Sequence, residues 1–428
     1  MKKKLMILLV LFCCHSLFAQ EKDSIQSFVK QNNKSWNQYN PERGFFQKAF
    51  ADEDDPRFMM SNEDETFSFG IGGVLQVITF YDFIGSLENK DFSTWNIPIP
   101  TNHVSQYGMN IGSTKINFKS RSKLGRQNLI AFISLNTPSS EDRIKLRQAY
   151  ISWGGFTIGK TYSFFMDLAA GPMTVDLQGP NTQISLNTPL IGYTHPVGKW
   201  TFGVALEMPK YQVPDKLNEY GIDNEFQSSP DFAAHLNYKD TFGHLQVGFL
   251  TRRLHYWFNP QNQPGNISRR CSGNGVSLSG LINITPKCFF TFQSIYGKGI
   301  AQYINDFSGA EIDLVLEKEN YVAGGDCTLT ALPTYGGYGS IQYNWSKKFQ
   351  SALIYGLTGV GKVNDLYKEL YKFDLSQYAA INLFYKINDY CTCGIEYLHG
   401  YRQDFVPNSS DKVYGYANRL NAMFSYTF

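Results

Sequence analysis

A closed antiparallel β-barrel lying in a membrane, with about 16 strands, is the fold class this all-β sequence predicts. Three observations lead there. From Phe67 onward apolar and polar residues alternate with period two, the rhythm of strands that have one greasy and one hydrophilic face. Short turns and long connections alternate along the same stretch, as turns on one side of a membrane and loops on the other would. Composition is the third: charged residues are only 18%, aromatics reach 15% with 27 Tyr and 33 Phe, and mean hydropathy is −0.29. A water-soluble chain usually carries about 25% charge. No stretch after the amino terminus approaches the ~18 apolar residues of a membrane helix.

The elements follow in chain order. Residues 1–19 read as a secretory signal: Lys2, Lys3 and Lys4 precede an apolar run from Leu5 to Leu17, and Leu17-Phe18-Ala19 offers a cleavage site. Cys13 and Cys14 follow the bulky Val10, Leu11 and Phe12, which argues against a lipoprotein. Residues 20–65 are polar, alternate poorly and hold the acidic clusters Asp52-Glu53-Asp54-Asp55 and Glu63-Asp64-Glu65. They are expected to form a partly disordered periplasmic extension. The first acidic run lacks the glycine of a calcium loop and reads as solvated linker. The barrel is expected over 66–428.

The first strand is expected at 67–83. The second, 108–121, sets Ser113, Lys115, Asn117, Lys119 and Arg121 on one face and Thr114, Ile116 and Phe118 on the other. Later apolar faces are Phe202, Val204, Leu206 and Met208; Phe232, Ala234, Leu236 and Tyr238; Leu245, Val247 and Phe249; Val276, Leu278, Gly280, Ile282 and Ile284; Ile341, Tyr343 and Trp345; and Ala379, Ile381, Leu383 and Tyr385. Short turns are expected at 121–125, 154–155, 196–199, 239–243, 285–287, 346–348 and 387–390. Long connections are expected at 84–107, 162–188, 209–230, 256–273, 299–334, 361–373 and 402–414. Residues 321–332 could add a strand; because single bacterial barrels have even strand numbers, the segment is assigned to the 299–334 loop. The last strand carries Phe424, Tyr426 and Phe428 on one face. A soluble domain has nothing left to cover such a stripe, whereas a wall facing lipid needs no cover.

Net charge is +2, so nothing points to nucleic acid. Cys271, Cys288, Cys327, Cys391 and Cys393 lie beyond the signal; the odd number leaves at least one unpaired within a monomer. A Cys271–Cys327 bridge between outer loops is one possibility. No metal site, cofactor or catalytic set is expected. The histidines are scattered, none beside a Gly-x-Ser-x-Gly elbow, and His235 and His244 read as polar channel residues.

The stretch from Leu146 to Thr194 is the most specific. It contains Leu-Arg-Gln-Ala-Tyr, Gly-Lys-Thr-Tyr-Ser-Phe-Phe-Met-Asp, Asp176-Leu177-Gln178-Gly179-Pro180 and Ile191-Gly192-Tyr193-Thr194. This resembles the DcaP-like trimeric porin family, with its Leu-Arg-x-Ala-Tyr, Gly-x-Thr-x-Ser-x-Phe-Met-Asp and Asp-Phe-x-Gly-Pro runs. The carboxy-terminal aromatic stripe is similar to the one that the barrel-assembly machinery reads in outer-membrane porins. The resemblance implies 16-stranded pores assembled as homotrimers in the outer membrane of a Gram-negative bacterium, passing small hydrophilic solutes, organic acids and dicarboxylates in particular, by passive diffusion. It also implies that the 161–188 connection folds into the lumen and sets its narrowest point.

That segment holds Asp167 and Asp176 and no Lys or Arg, so cationic selectivity must come from the wall. Arg143, Lys145 and Arg147 are expected on one face of the fourth strand, and Lys115, Lys119 and Arg121 on one face of the second. Arg252 and Arg419 fall opposite lipid-type residues. A cation facing lipid costs about 2–4 kcal/mol near the midplane, so all are expected to point inward. Basic side chains opposite loop carboxylates would set a transverse field that attracts anions. Arg147, inside the family motif, is the first choice for the constriction; the alternative is that these cations simply anchor the loop. The competing function is a secreted or surface β-protein that binds glycans through its aromatics.

Overall fold

The computed structural model describes residues 58–428 apart from 65, 88–90, 113, 126, 138–143, 212, 260–265 and 318–326. The signal segment, most of the 20–65 extension and Arg143 lie outside the described residues.

Sixteen wall strands close one antiparallel cylinder. They are numbered β1 (Phe67–Ile84), β2 (Gln106–Asn110 and Lys115–Leu124), β3 (Gln127–Asn136), β4 (Lys145–Trp153), β5 (Phe156–Tyr162), β6 (Asn187–Val197), β7 (Trp200–Glu207) and β8 (Asp231–Asp240). Then come β9 (Gly243–Phe258), β10 (Ile267–Asn283), β11 (Cys288–Lys298), β12 (Pro333–Asn344), β13 (Phe349–Val360), β14 (Phe373–Lys386), β15 (Cys391–Phe405) and β16 (Lys412–Thr427). Closure is made by β1, which pairs with β16 from Val74↔Thr427 upward and with β2 along its other edge. Among the described residues each wall strand is paired on both sides, which is what a wall in hydrocarbon requires of its backbone amides. The short strand Phe58–Ser61 pairs with β1 at Phe58↔Ile71. The sheet therefore begins a few residues before the boundary expected at 66.

The period-two reading carries through to the wall. Phe202, Val204 and Leu206 are 49, 44 and 49% exposed on the outside, while Ala205 and Glu207 between them are buried. The stripes are not packed against each other in a sandwich, which removes the basis of the glycan-binding alternative. Parity changes at several places, among them Asp82/Ile84 on β1 and Phe373/Leu375 on β14, and two others bear on the site. Between Asn110 and Lys115 β2 is interrupted, so Asn110 and Asn117, both buried, face inside on opposite parities. Between β3 and β4 a bulge takes the pairing from Ser134↔Gln148 to Leu135↔Leu146 and leaves Arg147 unopposed.

The short turns fall close to where they are expected, except that β2 runs on through 121–124. Two long connections are shorter than expected: β9 runs up to Phe258 and β10 starts at Ile267, and β15 runs to Phe405 with β16 starting at Lys412. On β9 the alternation persists with a different partner. Leu254, Tyr256 and Phe258 point inward onto Leu314, Leu316, Leu329 and Val213, a cluster built by loops. Those loop residues include the small hairpin Leu314–Leu316 with Leu329–Ala331, so the described part of the 321–332 region stays out of the wall. Cys271 and Cys327 are not joined by a disulfide.

The interior is filled on one side. Phe165, Met166, Ile184, Ile300, Tyr303, Ile304, Phe307 and Tyr367 make an apolar core from three connections that enter the barrel. The short helix α1 (Asp365–Leu370), capped by the Asn364 side chain accepting from the Tyr367 N–H, supplies Tyr367.

Candidate functional site

The site grows from the 163–186 segment, which turns inward after β5. Its first turn is set by Glu207 at the end of β7, whose carboxylate accepts from the Phe164 N–H at 2.7 Å and the Ser163 hydroxyl at 3.1 Å. Asp167 then caps a short 3-10 turn by accepting from the Ala169 N–H, and its other oxygen accepts from Ser279 on β10 at 2.7 Å and meets His244 Nε2 on β9 at 2.9 Å. His235 Nδ1 lies 2.7 Å from the Phe164 carbonyl.

At the far wall Glu396 on β15 accepts from the Val175 and Asp176 N–H groups at 3.1 and 2.7 Å and from Asn382 at 2.9 Å. Asn382 donates in turn to the Met173 carbonyl. The segment returns through Asn181, which donates to Ser376, and through Gln293, which accepts from the Ile184 N–H and donates to the Thr182 carbonyl. A loop buried inside a barrel has to satisfy its own backbone groups. Here inward Glu, Gln and Asn side chains of the wall do so.

Two further connections lock onto it. Asp306 accepts from the Trp95 N–H and from Gln178 at 3.1 Å each, and from the Thr94 hydroxyl. Arg252 on β9 binds Asp231 at 2.8 Å and Asp313 at 2.9 Å, and its guanidinium lies over the Tyr303 ring. Arg419 on β16 grips Asp82 of β1 with two bonds of 2.6 and 3.0 Å and lies over Phe80 and Phe92.

The expected site residues divide accordingly. Arg252 and Arg419 point inward, but both are sealed beneath loops (2 and 0% exposed) as clamps, so neither lines open channel. Asp167 and Asp176 lie in the inward loop but are also buried, and their nearest bonded partners are His244, Ser279 and backbone N–H groups, not the basic wall residues. Burial alone would raise the Asp167 pKa; bonds from His244, Ser279 and Ala169 outweigh it and hold the carboxyl below its usual range. Burial pushes Asp176 well up, reinforced by the neighbouring Glu396 and Asp91 and opposed by Arg419.

Arg147 is separated from Lys145 by the bulge. Its guanidinium donates to the Tyr162 hydroxyl and sits 5.2 Å over that ring. By register Tyr162 shares the parity of Phe156 and Ile158, which are exposed outside, and it also packs against the interior apolar core. Lys145 pairs with Asn136 on the inward register and is exposed. Lys115, Lys119 and Arg121 share the inward face of β2 with Asn117 and are half-buried. Phe424, Tyr426 and Phe428 share the outer face and are exposed. Among the described residues no cluster of three or more metal-ligating side chains occurs.

Sequence reasoning missed Glu207, Glu396, Gln293 and Asn382. Their signal was available: each is polar among apolar neighbours on the face opposite a lipid stripe, Glu207 after Leu206 and Glu396 between Ile395 and Tyr397.

Comparison with known proteins agrees with this geometry. A family model described as "Porin subfamily" matches residues 87–404. The outer membrane channel DcaP of Acinetobacter baumannii superposes with a TM-score of 0.69 at 16% identity, covering 86% of this chain and 99% of that one. OmpT of Vibrio cholerae, solved in a trimer form, gives 0.53 at 10% identity over 85% and 100% of the two chains. OmpF of Salmonella typhi, in complex with daunomycin, gives 0.52 at 10% over 86% and 100%. No curated protein matches the sequence.

Proposed function

The chain belongs to the porin subfamily matched over residues 87–404, and on that premise we propose an outer-membrane pore through which small hydrophilic solutes, organic acids among them, diffuse passively. One observation carries this reading: the inward loop is attached on one side. Its described contacts run from Gly192 on β6 and Glu207 on β7 round to Glu396 on β15, Met423 on β16 and Ile78 on β1. The inward faces of β2 to β4 carry Lys115, Lys119, Arg121 and Lys145, all at least partly exposed. Solute then passes between the loop and a basic wall. Several cations on one side of a narrow, low-dielectric passage raise the local concentration of anions, which supports small carboxylates as cargo.

The constriction residues in this reading are Lys115, Lys119, Arg121 and Lys145, with the loop as the opposing wall. Arg147 is given no selectivity role, because the bulge turns it onto Tyr162. A homotrimer in the outer membrane, with Phe424, Tyr426 and Phe428 read during assembly, is supported by the family and by the trimer form of the OmpT barrel. The likeness to DcaP supports the same location.

Single-channel recording in planar bilayers with a panel of mono- and dicarboxylates tests the proposal. The expected result is ohmic conductance with reversal potentials favouring anions. A purified, heat-modifiable barrel that conducts nothing overturns it.

A further inference from the structure

We propose that the acidic run Asp52-Glu53-Asp54-Asp55 of this same chain, which lies outside the described residues, docks on the inward basic face of β2 at Lys115, Lys119 and Arg121. The inference rests on the pore reading above and gives that passage a regulator: a tethered strip of carboxylates that narrows it and cancels its pull on anions.

The path of the chain brings the run to this place. The short strand Phe58–Ser61 lies along the foot of β1, from Ser61↔Ser68 to Phe58↔Ile71. Just above, that edge is already taken. Gly73 donates its N–H to the Phe428 carbonyl at 2.9 Å, Phe428 donates back at 3.0 Å, and β16 pairs onward from Val74. Before Phe58 the sequence reads Asp55-Pro56-Arg57, and proline has no N–H to give a ladder. The chain upstream of Phe58 therefore leaves the wall, toward lipid or toward the lumen. On the lipid side are the exposed Phe58, Met60, Phe67 and Phe428. Carboxylates laid against that apolar face would lose their hydration with nothing to replace it; the lumen side offers cations.

The inward face at this height has both room and charge. Ser68, Gly70 and Gly72 point inward along β1, so two successive positions carry no side chain and a second chain can pass close over the backbone. Beside them β2 sets Arg121 opposite Ser68, Lys119 opposite Gly70 and Lys115 opposite Val74, all half-buried. Strands β2, β3 and β4 contain no Asp or Glu. On β1 the single acid, Asp82, is held by Arg419 near the other end. Glu63 and Asp64 sit in the exposed turn below the foot of β1. Lengths agree as well. Met59, Gly70 and Lys119 lie side by side in register, which puts Lys119 two strand spacings from the short strand, about 10 Å. Three extended residues from Phe58 back to Asp55 cover about 10 Å, and three more to Asp52 about the same again. The run is thus long enough to follow the cations from Arg121 up to Lys115.

Two measurements on the full mature protein test this. Zero-length carbodiimide coupling in detergent at low salt, with the joined peptides identified by mass spectrometry, should link carboxyls of 52–55 to the amines of Lys119 or Lys115. In planar bilayers, the variant Asp52→Asn/Glu53→Gln/Asp54→Asn/Asp55→Asn should conduct about two-fold better than wild type in 0.1 M KCl and favour anions more strongly. The difference should vanish in 1 M KCl, where the screening length falls from about 10 to about 3 Å. Absence of coupling to both lysines overturns the docking. So does a variant whose conductance and reversal potential in 0.1 M KCl match those of wild type. If neither protein conducts, the pore reading fails, and coupling alone then decides whether the run docks.

Discussion

The two sides of this barrel's interior solve different problems with the same strand pattern. On β7 to β16 the inward residues are almost all buried, and acids and amides among them (Glu207, Gln293, Asn382, Glu396) hold a loop by its backbone N–H and carbonyl groups. On β2 to β4 the inward side chains include Lys115, Lys119, Arg121 and Lys145, which keep access to water. The difference teaches that an inward charge has no single meaning. An acid whose neighbours are free N–H groups becomes an anchor; a cation without a loop over it stays in the passage.

The sharpest way to break the comparison is at the clamps. Arg419→Met leaves Asp82 buried without its counter-charge, so folded stability should fall by about 3–5 kcal/mol. The temperature at which the unheated gel band converts to the boiled one would drop accordingly; an unchanged midpoint would show that the clamp carries no weight. Glu396→Ala strands the Val175 and Asp176 N–H groups at about 1–3 kcal/mol each. Faster hydrogen exchange at 173–176 and a larger conductance are the expected readouts, since the loop loses its hold on the far wall.

On the other side, the double variant Lys119→Glu/Arg121→Glu should shift the anion-to-cation permeability ratio about five-fold toward cations, the scale of ~1 kcal/mol between partly screened charges. Arg147→Glu should move it far less. Reversal potentials that respond to Arg147 and ignore Lys119 and Arg121 would invert the assignment.

The smallest effect concerns protons. Burial pushes Asp306 up to about 6, partly offset by bonds from Thr94, Gln178 and Trp95. A carboxyl whose pKa is higher when packed favours the packed loop at low pH; that advantage is lost as pH rises from about 4 through about 6 and changes no further above it. Protection of the 299–317 segment from exchange should follow that curve, and Asp306→Asn should flatten it.

Much of the fold was legible because strand alternation is local. The stripe Phe202, Val204, Leu206 and the tail Phe424, Tyr426, Phe428 announce their lipid face within a few residues. Arg147 was misplaced for the same reason: one extra residue in β4 shifts parity by one, and nothing in Lys-Leu-Arg-Gln marks the bulge. Arg252 and Arg419 are buried against Asp313 and Asp82, partners far away in sequence, so their role as clamps could not be read from neighbours.

By itself, then, the order of residues determined an outward apolar belt, an inward polar face and the family signature at 146–194, since each is read from neighbours along one strand. Tertiary structure alone decided which inward groups line the passage and which pin a loop. That choice depends on contacts such as Glu396 with Val175 or Arg419 with Asp82. Such contacts exist only once the cylinder has closed and a buried backbone must find partners inside it.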